Sequence, residues 1–462
     1  MNARSRCDQG KASTRTVRLN RPRQLWWLYP GVGALLLGIP ITIIAYLTPE
    51  STYFALYGTS KTIDWEFVVI ASFIYLCFTI GSFFTIGTAT ESQEEDALLY
   101  CRWFVRPLFL ITLFGYLVWF GNGILTSGIG PILTGIQQVF LEQEFGSSDE
   151  LKVVLFPTIP GVTTLTQVGL LYVTVEALLW VWKGSSRRSA LMRFATIALL
   201  AAFRSILLSE RLALVELVIP VVVVLATTAQ LRAHHKKLVQ VAPVFMALAV
   251  FLLFALGEFF RSWADYRTLY DGPYLQFAFE RFMGYYTTAI NNAAVYYYFQ
   301  PVHPLLQSFQ ALFELPVLGS LVSTSYAAVF GDVFNESDHM YLLQKYANPE
   351  FNNVAMIGAL VNEWSVFLAP AAAFVLGVLS VSLYRGFLRG RLIGLLVYPS
   401  WYVGILEIPR IYYWATVGYF PTLTLLAITL FAFALAKKFI RTSSRRRVLT
   451  DRSRTSRAEF VR

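Results

Sequence analysis

Ten stretches of this chain stay apolar long enough to cross a lipid bilayer, and that narrows the folds open to it. The hydrocarbon core is about 30 Å thick and takes roughly 20 helical residues to cross. Inside it no water satisfies a backbone N–H or C=O, so only helices and closed barrels span it. The runs are Leu25–Leu47, Glu66–Ala89, Pro107–Leu125, Pro160–Trp182, Leu191–Leu208, Leu212–Leu231, Val239–Gly257, Asn353–Leu383, Leu392–Leu406 and Tyr419–Ala436. Barrel strands alternate in polarity over about ten residues, whereas these runs are continuous, which selects helices. The expected fold is an all-α polytopic membrane protein with about ten transmembrane helices, ten to twelve.

Composition agrees. Hydrophobic residues make up 56% of the chain and charged residues 14%, against roughly 25% charged in a soluble protein. An ordinary soluble enzyme, a disordered chain and a collagen-like fibre are excluded. The first run, Leu25–Leu47, exceeds the roughly 7–15 apolar residues of a signal peptide and reads as an uncleaved first membrane helix. Cys7, Cys77 and Cys101 are scattered, and the four His do not cluster at zinc spacing, so neither a disulfide framework nor a metal site is expected.

Lys and Arg accumulate on the cytoplasmic side of membrane segments. With the N-terminus inside, alternating the ten spans puts 29 of the 38 Lys and Arg inside, eight outside and Arg204 within a helix. This divides the chain into a basic cytoplasmic tail (1–24), a first membrane bundle (25–257), a large extracytoplasmic loop (258–352), a second bundle (353–436) and a second basic cytoplasmic tail (437–462). The net charge of +10 is then a topology signal that calls for no nucleic-acid partner, because the 29 inner bases face only seven acids. The outer side is acidic, which makes its few arginines informative.

Two outer segments exceed simple connectors. Ile132–Phe145 is amphipathic and suits the membrane surface. In the large loop, Leu275–Phe299 and Leu305–Phe330 are expected as interfacial or re-entrant helices. A loop of this length is usually functional. No internal repeat is evident, which argues against an inverted-repeat transporter.

Ionisable residues inside a membrane are costly and mark packing pairs or pathways. Glu176 reads as a packing residue, and Arg204 and Glu216 fall at similar depth on adjacent helices. Arg204 and Arg211 lie near the outer rim, and an Arg fork holds phosphate without a metal. The loop adds Arg261 and Arg281, the aromatic Tyr285 and Tyr286, and three candidate bases, Glu258, Asp265 and His339. Asp332, Asn335, Glu336 and Asp338 lack the spacing of an EF-hand. The rival acidic pair for a polyprenyl-phosphate-sugar glycosyltransferase is Asp64 with Glu66.

The layout resembles the O-antigen polymerase and ligase superfamily, the Wzy-type oligosaccharide repeat-unit polymerases. Locally, Leu208-Ser209-Glu210-Arg211-Leu212-Ala213-Leu214-Val215 is similar to the family's small-residue-then-Arg helix start. The stretch from Asn352-Asn353-Val354-Ala355-Met356-Ile357-Gly358 through Asn362-Glu363-Trp364 to Leu376-Gly377-Val378-Leu379 is similar to its helix after the large loop. Relatives often carry Gly-Ser before the Arg and an Asp-aromatic-Gly triplet where this chain has Asn-Glu-Trp. The resemblance implies glycosyl transfer between undecaprenyl-pyrophosphate-linked oligosaccharides at the outer face of a bacterial inner membrane. It implies no metal or cofactor, with Arg204, Arg211, Arg261 and Arg281 holding pyrophosphate. A flippase and a chain-length regulator are its implied protein partners. A transporter or flippase of lipid-linked saccharide is the alternative from another class. The topology is checked with reporter fusions. One after Arg462 is expected to be active only as a cytoplasmic reporter, and one at Gly331 only as an external reporter; the reverse overturns the assignment.

Overall fold

The computed structural model describes residues 24–86, 93–142, 151–182, 186–207, 212–227, 229–268, 270–304, 306, 308–313, 318–331, 336–416 and 418–459. Among these no strand occurs, and each of the ten apolar runs contains a helix. The helices are α1 (Pro30–Leu47), α2 (Glu50–Tyr57), α3 (Trp65–Gly81), α4 (Glu94–Ser127), α5 (Ile129–Gln137), α6 (Thr163–Val181), α7 (Arg187–Leu207), α8 (Leu212–Ala226), α9 (Ala229–Arg261), α10 (Tyr274–Phe299), α11 (Leu318–Phe330), α12 (Glu336–Tyr346), α13 (Met356–Leu388), α14 (Leu392–Glu407) and α15 (Phe420–Glu459), with short turns between.

Six of these, α1, α4, α6, α9, α13 and α15, are long and apolar enough to cross a membrane. They give the chain the build of a helical multi-pass membrane protein. The other runs fall short for physical reasons. α3, α8 and α14 are apolar but have 17, 15 and 16 residues; at 1.5 Å per residue they reach about 23–26 Å, less than the hydrocarbon core. α7 has 21 residues but carries Arg187, Arg188, Arg193 and Arg204.

Small residues set the closest helix crossings, as expected where packing rather than water expulsion holds helices together. α3 and α13 touch backbone to backbone. A Cβ on Gly81 would overlap the Phe374 carbonyl, and one on Gly377 would overlap the Phe78 carbonyl. Elsewhere α13 meets α10, where a Cβ on Gly358 would lie 2.7 Å from Ala293 Cα.

That crossing revises the expected large loop. Of Leu275–Phe299, expected as an interfacial or re-entrant helix, the second half is inserted among other helices: every residue from Thr287 to Tyr296 in α10 is buried, packed against α1, α9 and α13. Asn292 Nδ2 donates there to the Phe351 and Asn353 carbonyls at 2.7 and 2.8 Å. Within Leu305–Phe330, the described parts are the turn Gln310–Phe313 and α11. Glu258, the expected start of the loop, still lies inside α9.

Connections far apart in the chain meet in pairs. The Gln93 amide donates to the Gly390 carbonyl at 3.1 Å, and Lys437 pairs with Asp96. Tyr297 and Tyr298 donate to Glu66 and Asp64 at 2.8 and 2.6 Å. The glycine crossing is testable. Gly81→Ala or Gly377→Ala is expected to lower the thermal unfolding midpoint of detergent-purified protein, at about 1–3 kcal/mol each for overpacking. Gly121→Ala has nothing within 4 Å of the added carbon and is expected to leave the midpoint unchanged or raise it.

Candidate functional site

α8, α9 and α10 and the connections at 350–353 and 407–418 enclose a cavity of about 500 Å³. One part of its wall is apolar, from Val250, Leu253 and Phe254 on α9 and Phe282 on α10. Polar groups share the rest with Leu212, Ala213, Val215 and Ile411. Arg204 and Arg410 bring positive charge, Glu216, Glu350 and Glu407 bring carboxylates, Gln167, Asn352 and Asn353 bring amides, and Tyr285, Tyr286 and Tyr413 bring phenols. A mostly preformed concavity with a few convergent polar groups is the default form of a ligand site.

Each arginine is held by its neighbours. Arg204 stands in the last turn of α7, where the carbonyl end of the helix favours a cation. Its Nη1 donates to Thr166 Oγ1 at 2.9 Å, and its guanidinium lies 5.2 Å from the centre of the Trp119 ring. Arg410 follows the end of α14. Its backbone N–H and that of Ile411 both donate to the Glu407 carbonyl at 2.8 Å, and Nη1 lies 3.2 Å from Glu407 Oε2. The Arg410 Nε is buried and has no hydrogen-bond partner. A buried donor left unmade is expensive.

Arg281 is placed differently. It is not on the cavity wall but behind Glu350. Its Nε lies 3.0 Å from Glu258 Oε2, and its Nη2 pairs with Glu350 Oε1. Aromatic rings of Tyr266, Phe351 and Phe277 surround the guanidinium at 5.0, 5.1 and 5.7 Å. Burial works against the Arg281 charge, but the two carboxylates outweigh it and hold the group above its usual range. Tyr266 also donates to Glu350 Oε2 at 3.1 Å, so Arg281 and Tyr266 fix a carboxylate that faces the cavity.

Of the residues singled out from the sequence, Arg204, Glu216, Tyr285 and Tyr286 line the cavity. Glu216 accepts from Tyr413 at 2.7 Å. Glu258 is fully buried and engaged by Arg281. His339 is set in a structural network: Nδ1 and Tyr296 Oη are 2.8 Å apart, and Nε2 is 2.9 Å from the Asn352 carbonyl. A carbonyl only accepts, so Nε2 carries the proton and Nδ1 accepts from the phenol. Arg211, Asp332 and Asn335 lie outside the described residues, as do the side chains of Arg261 and Asp265. Glu176 is a packing residue held bidentately by Arg193 at 2.8 and 2.9 Å. Asp64 caps α3, accepting from the Phe67 amide at 2.8 Å and from Tyr298.

Sequence reasoning missed Arg410, Glu407 and Glu350 as wall residues. The available signal was Glu407-Ile408-Pro409-Arg410, an i,i+3 ion pair at the end of an apolar run.

No family model, curated protein or solved structure matches this chain.

The Arg281 cluster makes a stability prediction. Arg281→Ala strands the Glu258 carboxylate in the interior and is expected to cost about 3–5 kcal/mol. Adding Glu258→Gln is expected to restore part of that loss. Additive losses in thermal unfolding would mean the two side chains are not coupled.

Proposed function

We propose that this protein is a membrane glycosyltransferase that polymerises undecaprenyl-pyrophosphate-linked oligosaccharide repeat units into a surface polysaccharide. In this reading the ten apolar runs make ten crossings, both tails are cytoplasmic, and the site opens to the outer face of a bacterial inner membrane. The observation that carries the reading is the convergence of Arg204 and Arg410 on one cavity whose wall is in part apolar. Guanidiniums on an apolar-flanked cavity suit an anion that arrives on a lipid, and planar forks suit phosphate oxygens.

The chemistry follows from charge. The bond between the donor's anomeric carbon and the pyrophosphate oxygen breaks, and negative charge grows on the leaving pyrophosphate. Arg204 and Arg410 are already in place to stabilise it, so little reorganisation is needed as the charge develops. The acceptor hydroxyl oxygen bonds the anomeric carbon, and its proton passes to a wall carboxylate. Glu350 is the best placed. Its side chain is 33% exposed against 8% for Glu407, and Arg281 and Tyr266 hold it still. Tyr285 and Tyr286 offer ring faces and hydroxyls to sugars. His339 and Glu258 act one layer back, by holding the Asn352 carbonyl and Arg281.

The reading that uses Asp64 as a catalytic acid has less support, because that side chain is already spent on capping α3 and on Tyr298. The deciding assay adds lipid-linked oligosaccharide to detergent-solubilised protein. Longer lipid-linked products are expected, and none with folded wild type overturns the reading. Arg410→Ala and Arg204→Ala are each expected to slow lengthening by roughly 10²–10³-fold, as for removal of one preplaced donor. Arg410→Lys should recover only part of the rate, because an ammonium lacks the fork. Asp64→Asn, assayed alongside, should retain activity.

A further inference from the structure

The second unusual feature of the molecule lies on α13. This helix is broken at Ser365, whose φ of 60° and ψ of 166° make it the one described non-glycine residue with positive φ. Such a conformation costs about 1–3 kcal/mol and persists only where its surroundings enforce it. Two residues earlier stands Glu363, 1% exposed. Ser308 Oγ donates to its Oε2 at 2.9 Å, whereas Oε1 is buried with no hydrogen-bond partner. Among the described residues no cationic side chain pairs with it.

Three other buried carboxylates have a guanidinium beside them: Glu176 has Arg193, Glu258 has Arg281 and Glu407 has Arg410. An ionised carboxylate in an apolar interior without a counter-charge costs several kcal/mol, and such a group takes up a proton instead. The surroundings of Glu363 also form a docking point. The connection after α10 is tied to the broken turn by three bonds. Asn362 Nδ2 donates to the Pro301 carbonyl at 2.8 Å, the His303 amide donates to the Asn362 carbonyl at 2.7 Å, and the third is the Ser308 bond. Ser308 Oγ is also 3.4 Å from Tyr412 Oη, whose chain neighbours Ile411 and Tyr413 line the cavity.

We propose that Glu363 is a proton-binding site, occupied by a proton when residues 301–304 and 308–313 dock on the broken helix and emptied when they undock. The neutral acid lets the strap close over α13. Ionisation draws water to the carboxylate and releases the strap, and with it the support of the cavity wall at Tyr412. The sign follows from the docked state holding the extra proton: docking is complete at low pH and weakens as pH rises.

The other titratable groups facing this point do not share that behaviour. Burial pushes the Tyr412 phenol, on the connection after α14, up to about 12. Burial and then Glu363 raise Tyr326, on α11. Burial lowers His303, on the strap, against the opposing pull of Asp338, so it is neutral from neutral pH upward. From α3, Asp64 and Glu66 are bonded by Tyr298 and Tyr297. Glu363 alone is left to switch in the alkaline direction.

This inference does not rest on the glycosyltransferase reading, and its test needs no substrate. Hydrogen exchange of the full chain in detergent, corrected for intrinsic pH dependence, reads the protection of 301–304 and 308–313 from slightly acidic to alkaline pH. Wild type is expected to lose protection there as pH rises, with α3 unchanged as internal reference. Glu363→Gln, permanently neutral, is expected to keep the strap protected throughout. The proposal is overturned by flat protection in wild type, by the same pH-dependent loss in Glu363→Gln, or by protection that follows sodium concentration at fixed pH. Infrared spectroscopy of wild type covers the case of a variant that does not fold. A protonated-carboxyl band should disappear with the same pH dependence as strap protection, and its absence at acidic pH sinks the idea.

Discussion

A charge among apolar helices has to be compensated within a few ångströms, and the functional geography of this bundle follows from how that is done. Within a low-dielectric interior an unmatched ion costs several kcal/mol, a large share of the net stability of most domains. The chain answers with bidentate or multiple partners. Arg193 grips Glu176, and Arg281 is shared between Glu258 and Glu350 inside a ring of Tyr266, Phe277 and Phe351. Two places stand out: the cavity on which Arg204 and Arg410 converge, and the broken helix, where Glu363 has no counter-charge among the described residues.

Both places depend on close packing nearby. The Gly81–Phe374 and Gly377–Phe78 contacts bring α3 against α13, and Gly358 lets α10 lie against α13. With α10 inserted between helices, Tyr285 and Tyr286 reach the cavity while Arg281, about a turn away on the same helix, is turned into its ion-pair cluster. The same insertion brings Glu350, Asn352 and Asn353 to the wall, through bonds from Asn292 to the carbonyls of Phe351 and Asn353.

Much of the architecture was legible because bilayer length and continuous apolarity are local properties. All ten runs contain helices, and six helices are long and apolar enough to cross a membrane. The large loop was less legible. α10 carries Glu280, Arg281 and many tyrosines, so its composition reads as interfacial. Its burial depends on glycines on another helix, which hydropathy does not register. The candidate site was half legible. Arg204 stood out as a charge inside an apolar run, whereas Arg410 was one of several outer arginines until its ion pair and unmatched Nε could be seen.

The sequence by itself determined that this is a helical membrane chain, where its apolar segments lie and which intramembrane charges need an explanation. Those conclusions rest on the cost of exposing backbone and charge to hydrocarbon, which can be read residue by residue. Only the tertiary structure decided how the charges are shared out. It put Arg281 into a buried cluster, gave His339 to Tyr296 and the Asn352 carbonyl, and left Glu363 without a counter-charge. Pairing energies depend on distances between segments far apart in the chain, and a distance of that kind exists only once the helices have packed.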